Sequence, residues 1–244
     1  MANEPFSASA SDLLRWAEAL SGIALAQLIR PGCPVIFGSF LSNIDMQSGS
    51  PCFGTPESAI GLLCTGQLAR HFGLPFRTGG GLNSSQMPDA QAAYESLMTM
   101  LPTFLTGTNM VMHAAGWLEG GLVSCYEKFI IDVELLRMLR VEFTPLQIDE
   151  AALAFDAHLE VGHGGHFLGA EHTMTRFRDC FYRPMLSSSM NFERWSREGA
   201  LDASARAAVI CQKTLDDYEA PALDDAIRAE LEEYVTRRRA ELGD

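Results

Sequence analysis

Three histidines and a glutamate crowd the stretch HGGHFLGAEH, as His163, His166, Glu171 and His172. Zinc hydrolases set two histidines one helical turn apart, with a glutamate beside them as base. Here Gly164-Gly165 separates His163 from His166, and a glycine pair breaks the helix that such geometry needs. Two readings stay open: a metal site of another geometry, and a glycine-rich turn whose imidazoles bond backbone or ligand. His113 stands near the end of the apolar run MVMHAAG, where a barrel strand delivers side chains to substrate; a satisfied core histidine is the alternative. Three consecutive glycines, Gly79, Gly80 and Gly81, follow LPFRT and precede the polar Asn83. They remove side chains and admit positive φ, so backbone and ligand can approach closely. The tract matches neither GxGxxG nor GxxxxGK[ST], and no GxSxG elbow occurs. Aromatic residues near the ends of the strands (Phe40, Phe53, Phe76, Trp117, Phe167) offer faces to a quaternary ammonium, each contact contributing roughly 0.5–2 kcal/mol; core packing is the plainer role for such residues.

The chain that positions these groups has 244 residues, 47% hydrophobic and 20% charged, enough for one large domain or two small ones. A formal net charge of −13 argues against nucleic acid or an anionic membrane as partner. Six scattered cysteines form no CxxC pair and outline no disulfide framework. The first residues carry no basic segment leading into a long apolar run, and no apolar 18-mer occurs, so a reduced, cytoplasmic protein is expected.

The hydrophobic pattern alternates strands with helices. A helix over 9–29 ends at Pro31-Gly32, and the continuous apolar run 34–40 predicts a strand buried on both faces. The long loop 41–54, holding Asp45 and Phe53, exceeds what a plain turn needs. Thr55-Pro56-Glu57 opens a second helix, with a cap, a proline at the first position and an acid at the positive pole. A strand over 75–79 leads through the glycine tract to a helix over 88–106, kinked near Pro102. A third strand over 110–116, the loop Trp117–Gly121 with Glu119, and helices over 122–140 and 147–160 follow. Residues 161–169 are a fourth short strand or a glycine-rich loop, and a helix over 170–183 ends at Pro184. This rhythm predicts parallel βα units over residues 1–186. From 187 the chain turns Ser-rich and then helical, over 203–218 and 223–241, predicting a helical C-terminal extension of 187–244.

Four stretches resemble the C-terminal half of the trimethylamine methyltransferase family: AQLIRPGCPVIFGS (26–39), ARHFGLPFRTGGG with PDAQAAYES (69–96), GGLVSCYEKFIIDVELL (120–136) and GGHFLGAEHTMTRFRDCFYRPMLS (164–187). NFERWSREGALDASARA and LDDYEAPALD, within 191–224, are similar to the family's tail. The resemblance implies an α/β fold, the C-terminal half of a TIM-type (β/α)8 barrel, because family members are about twice as long. Its open sheet edges require a cover, either a second copy or a complementing N-terminal half barrel. It implies transfer of a methyl group from a small methylated amine to a corrinoid (cobalamin) carried by a cognate corrinoid protein. The chain has no pyrrolysine, and its glycine tract continues Asn83-Ser84-Ser85-Gln86. That points to a quaternary, betaine-like donor, whose leaving group is already a neutral amine. The expected catalytic residues are His113, Glu119 and His166; Asp45, Gly79, Gly80, Gly81, Asn83, Trp117 and Phe167 are expected to bind substrate, with no metal ligands in the chain itself. The alternative is an inactive or truncated member that binds a partner as a half barrel.

Overall fold

The structure, a computed structural model, describes residues 8–243. The first of two compact units extends to Cys211. The chain runs through α1 (Ala8–Ile29), β1 (Phe37–Ser39), β2 (Asn43–Ile44), β3 (Pro51–Cys52), α2 (Pro56–His71), β4 (Phe76–Gly79), α3 (Ala90–Leu105) and β5 (Met110–Met112). It continues with β6 (Trp117–Leu118), β7 (Val123–Ser124), α4 (Tyr126–Glu142), and the short helices α5 (Glu150–Leu153), α6 (Phe155–Val161), α7 (Glu171–Arg176) and α8 (Phe192–Arg197). α9 (Ala203–Asp216) and α10 (Asp225–Leu242) complete it; the second unit begins at Gln212 and holds α10. Among the described residues no helix is long and apolar enough to cross a membrane.

β1, β4 and β5 form a parallel sheet in that order, with Phe37 opposite Phe76 and Gly79 opposite Met112. Parallel neighbours need a crossover, and α2 and α3 supply it. Local chemistry starts both helices: the Thr55 hydroxyl accepts the Ser58 N–H ahead of Pro56, and the Asp89 carboxylate accepts the Ala92 N–H at 3.0 Å. Pro102 lies inside the last turn of α3, where it forgoes one N–H bond to the carbonyl four residues earlier and only three helical residues follow it.

One face of the sheet is covered. Trp16 of α1 stacks on Phe37 with ring centroids 4.1 Å apart, Phe37 stacks on Phe76, and Ala69 of α2 packs with them. The other face of β1 is not: Ile36 is 57% exposed and Phe40 37%, so the strand expected to be buried on both faces is covered on one. A second core joins Ile130 of α4 to Leu186 and Ala207, which brings part of the segment after 187 into the first unit.

Several elements differ from the pattern. The loop 41–54 contains the antiparallel hairpin β2–β3, and the third strand ends at Met112. The helix expected over 147–160 is two, α5 and α6, broken where Ala154 takes a left-handed backbone at φ 52. Residues 161–169 are a loop ending in a 3-10 turn, Phe167–Gly169, and the helix after it stops at Arg176.

Candidate active site

The glycine tract closes the carboxyl end of β4 against the backbone leaving β5. A Cβ on Gly80 would lie 2.6 Å from the Ala114 Cα and 2.7 Å from the Met112 carbonyl; one on Gly81 would lie 2.8 Å from the Ala114 carbonyl. Glycine is therefore needed here for contact. The expected positive φ is not found at Gly79, Gly80 or Gly81; it falls instead on two larger residues, His113 at φ 58 and Glu119 at φ 50. An L-residue in that region bears about 1–2 kcal/mol of steric cost. His113 follows β5 directly, and its exposed imidazole meets the Trp117 indole edge-on, centroids 5.5 Å apart.

Polar bonds join this loop to the glycine bend. The fully buried Asn83 donates from Nδ2 to the Trp117 carbonyl at 2.6 Å, and its own carbonyl accepts the Gly120 N–H at 2.7 Å. The Ser85 carbonyl accepts the Glu119 N–H at 2.8 Å. Ser84 donates its N–H to Glu95 at 2.7 Å, and its hydroxyl accepts the Phe53 N–H at 2.9 Å. The structure thus brings Gly79 to Gly81, Asn83, His113, Trp117 and Glu119 into one assembly.

Asp45 sits in the turn of the β2–β3 hairpin. Its carboxylate accepts the Ser48 hydroxyl at 2.6 Å and the N–H groups of Gln47 and Ser48; these bonds, the Ser48 hydroxyl foremost, hold it below the usual aspartate range. His166 and Phe167 lie on an exposed turn, where Phe167 meets His158 edge-on at 5.1 Å. Phe76 belongs to the core and not to the mouth. A cavity of about 20 Å³ lies among Phe40, Phe53, Gly79, Gly80 and Leu82, with the two phenyl rings edge to face. That is room for about one water molecule and too little for a trimethylammonium group. Among the described residues no three His, Cys, Asp or Glu side chains are grouped to hold a metal ion.

The structure adds residues that sequence reasoning passed over. Lys128 and Asp132, one turn apart on α4, form a salt bridge with side-chain exposures of 0% and 2%. The Lys128 ammonium also donates to the Ser96 hydroxyl at 2.9 Å, Ser96 donates to the Gly81 carbonyl at 3.1 Å, and Asp132 accepts the Gly116 N–H at 2.9 Å. Burial lowers the Lys128 pKa and raises that of Asp132, and their mutual attraction opposes both shifts. Asn83 Oδ1, beside this network, is buried without a hydrogen-bond partner among the described residues. Glu134, 4% exposed, accepts the N–H groups of Met185, Leu186 and Ser187 and the Tyr182 hydroxyl. The available signal was three charged residues, Lys128, Asp132 and Glu134, within the otherwise apolar run KFIIDVELL (128–136).

A parallel sheet whose carboxyl edge carries a close-packed glycine bend and a strained, exposed histidine has the layout of α/β proteins that bind ligands beyond their strand ends. The model of the trimethylamine methyltransferase (MTTB) family matches residues 1–243, and the chain belongs to that family. It is 44% identical over 240 residues to a glycine betaine methyltransferase of Desulfitobacterium hafniense (strain Y51), covering 98% of this chain and 50% of the relative. It is 32% identical over 228 residues to the trimethylamine methyltransferase MttB of the same species (strain DSM 10664 / DCB-2), covering 93% and 45%. To MttB2 of Methanosarcina mazei it is 32% identical over 221 residues, covering 91% and 44%. The chain spans about half the length of these curated relatives.

Proposed function

We propose that this chain supplies half of a (β/α)8-barrel site that moves a methyl group from a betaine-like quaternary amine to the cobalt of a corrinoid carried by a partner protein. The observation that carries the reading is His113, held at φ 58 against Trp117 on the exposed carboxyl edge of the sheet. Left-handed backbone at a non-glycine residue persists only where its surroundings enforce it, and such residues gather at functional sites. The similarity to a glycine betaine methyltransferase supports the choice of substrate class.

The residues at this edge fit an acceptor presented by a second protein. His113, Glu119 and Met112 are exposed, so a large flat group can reach them, above a bend that Gly79 to Gly81 let sit close against Phe40 and the Ala114 backbone. A reduced corrinoid supplies the nucleophile that accepts the methyl group. Trp117 offers an aromatic surface to the cation, and Asn83 fixes the Trp117 backbone. A quaternary ammonium departs as a neutral tertiary amine, so these residues contribute chiefly orientation and need not deliver a proton. The water-sized cavity beside Phe40 and Phe53 cannot seat the donor. The donor therefore lies at the open carboxyl edge beside Trp117, on the side where Phe40 is exposed, and a complementing half barrel or a second copy closes the site.

A second reading, a partner-binding family member without turnover, is favoured by the tract after the glycines. Asn83, Ser84, Ser85 and Gln86 all direct polar side-chain atoms into bonds within the loop and its neighbours. Both readings meet one test: the purified chain is mixed with reduced cobalamin and glycine betaine, alone and with a complementing family half, and methylcobalamin absorbance is followed. Transfer that His113→Ala abolishes is expected. No transfer in either mixture rejects the enzyme reading, and stable binding of the half without transfer establishes the second.

A further inference from the structure

We infer that the buried Lys128–Asp132 pair, acting with Ser96, is the positioning element that fixes the glycine bend relative to the loop carrying His113 and Trp117. Its catalytic consequence rests on the reading above; its structural part does not. A buried ion pair seldom adds stability over a well-packed apolar pair of similar volume. What this pair holds accounts for it better than what it contributes to folding. One end reaches Gly116: the Asp132 carboxylate accepts that N–H at 2.9 Å, one residue ahead of Trp117. The other end reaches Gly81: because the Ser96 oxygen accepts from the Lys128 ammonium at 2.9 Å, its own proton is left to bond the Gly81 carbonyl at 3.1 Å. Two loops from different strands are thus tied to residues one helical turn apart on α4, a spacing the helix keeps rigid. Asn83 crosses directly between the same two loops through its 2.6 Å bond to the Trp117 carbonyl. An apolar pair would fill the space and leave both ties unmade.

The test compares, in the full chain, Lys128→Met combined with Asp132→Leu against Lys128→Gln combined with Asp132→Asn. The first pair of changes keeps the volume and removes the ties; the second is uncharged and keeps donors and acceptors. Amide hydrogen exchange is read at Gly116, Glu119 and Gly120, and methyl transfer is read in the complemented mixture. The apolar variant is expected to keep the wild-type circular dichroism while exchange at these amides rises about tenfold or more. Its kcat should fall roughly 10- to 100-fold with little change in KM, and the amide variant should recover most of both. Wild-type exchange in a folded apolar variant overturns the inference, as does undiminished kcat. Should that variant fail to fold, Ser96→Ala decides: it leaves the Lys128–Asp132 pair intact and removes the hydroxyl that links Lys128 and Asn83 to the Gly81 carbonyl, so faster exchange at Leu82 and Gly120 is expected and unchanged exchange refutes the role. A wild-type chain that transfers no methyl group counts against the enzyme reading alone, and the exchange results still decide the positioning role.

Discussion

Replacing Gly80 by alanine puts a methyl group where the Ala114 Cα, the Met112 carbonyl oxygen and the Ala114 nitrogen already stand, at 2.6, 2.7 and 2.8 Å. Carbon atoms in ordinary contact sit about 3.5–4.0 Å apart, so roughly 1 Å must be found. All three obstructing atoms are backbone, and they flank the seam where Gly79 and Met112 are paired, so no side chain can swing aside. Overpacking of this kind costs about 1–3 kcal/mol, and the purely backbone contact places Gly80→Ala at the upper end. Gly79→Ala is the control. Its new methyl meets only the Phe40 ring, at 3.1 and 3.2 Å, and that ring is partly exposed and free to shift. Neither glycine has a left-handed backbone, so alanine incurs no φ penalty and recovers about 0.4–1 kcal/mol from the less flexible unfolded chain. Gly79→Ala should therefore be close to neutral. In urea unfolding, Gly80→Ala should lower the midpoint by about 1 M or more with the slope m unchanged. Equal midpoints for the two variants would refute the claim that the bend is seated on the Ala114 backbone.

Glu134→Ala leaves the N–H groups of Met185, Leu186 and Ser187, of which Leu186 is buried, without their shared acceptor and should destabilise the first unit by about 2 kcal/mol, measured by the same unfolding experiment. Burial alone would raise the Glu134 pKa, but the donors at Met185, Ser187 and Tyr182 outweigh it and hold the pKa below the ordinary glutamate value of 4.5. The contribution of this carboxylate is thus complete above pH 4.5 and is lost as pH falls through the lower folded value; Glu134→Gln should show a smaller loss of Tm below pH 4.5 than the wild type, and parallel curves would refute it. His113→Gly removes the left-handed cost, so it should raise stability by up to about 1 kcal/mol while abolishing methyl transfer in the complemented mixture; a variant that is less stable, or still active, counts against strain held for function.

Where a segment's conformation is set by its own residues, the sequence was sufficient. Thr55-Pro56-Glu57 starts α2 and Asp89 starts α3 because cap, proline and acid act within one turn. The three parallel strands follow from apolar runs separated by helical spacing. Where distant contacts decide, the pattern misled. Ala154 carries no mark of a left-handed residue, yet it splits one expected helix into α5 and α6. Residues 177–183 have helical spacing, but the Tyr182 hydroxyl and the backbone after it are drawn to Glu134, some fifty residues earlier, and α7 ends at Arg176. The run at 34–40 is apolar on both faces although, among the described residues, its core contacts lie on the Trp16 side, so the pattern overstated how far the strand is buried.

The site divides along the same line. The glycine tract could be picked out as a place of close approach, and the structure supplies the partner, the Ala114 backbone, that makes the approach necessary. No spacing rule reveals a left-handed histidine: nothing in the run MVMHAAG marks His113 for φ 58. Lys128, Asp132 and Glu134 were hidden for a different reason: charges on a helix are ordinarily solvated, so each looked like surface. All three are buried, and they serve two directions. Lys128 and Asp132, four residues apart, share one side of α4 and reach the site loops, while Glu134, two residues further on, faces away from Asp132 and gathers residues 182–187. An apolar α4 could bury as much surface, but dispersion contacts tolerate sliding where hydrogen-bonded charges accept one register. The arrangement sacrifices solvation on three charges to fix where two loops and one irregular segment stand, and the loops it fixes are the ones that carry His113, Trp117 and the glycine bend.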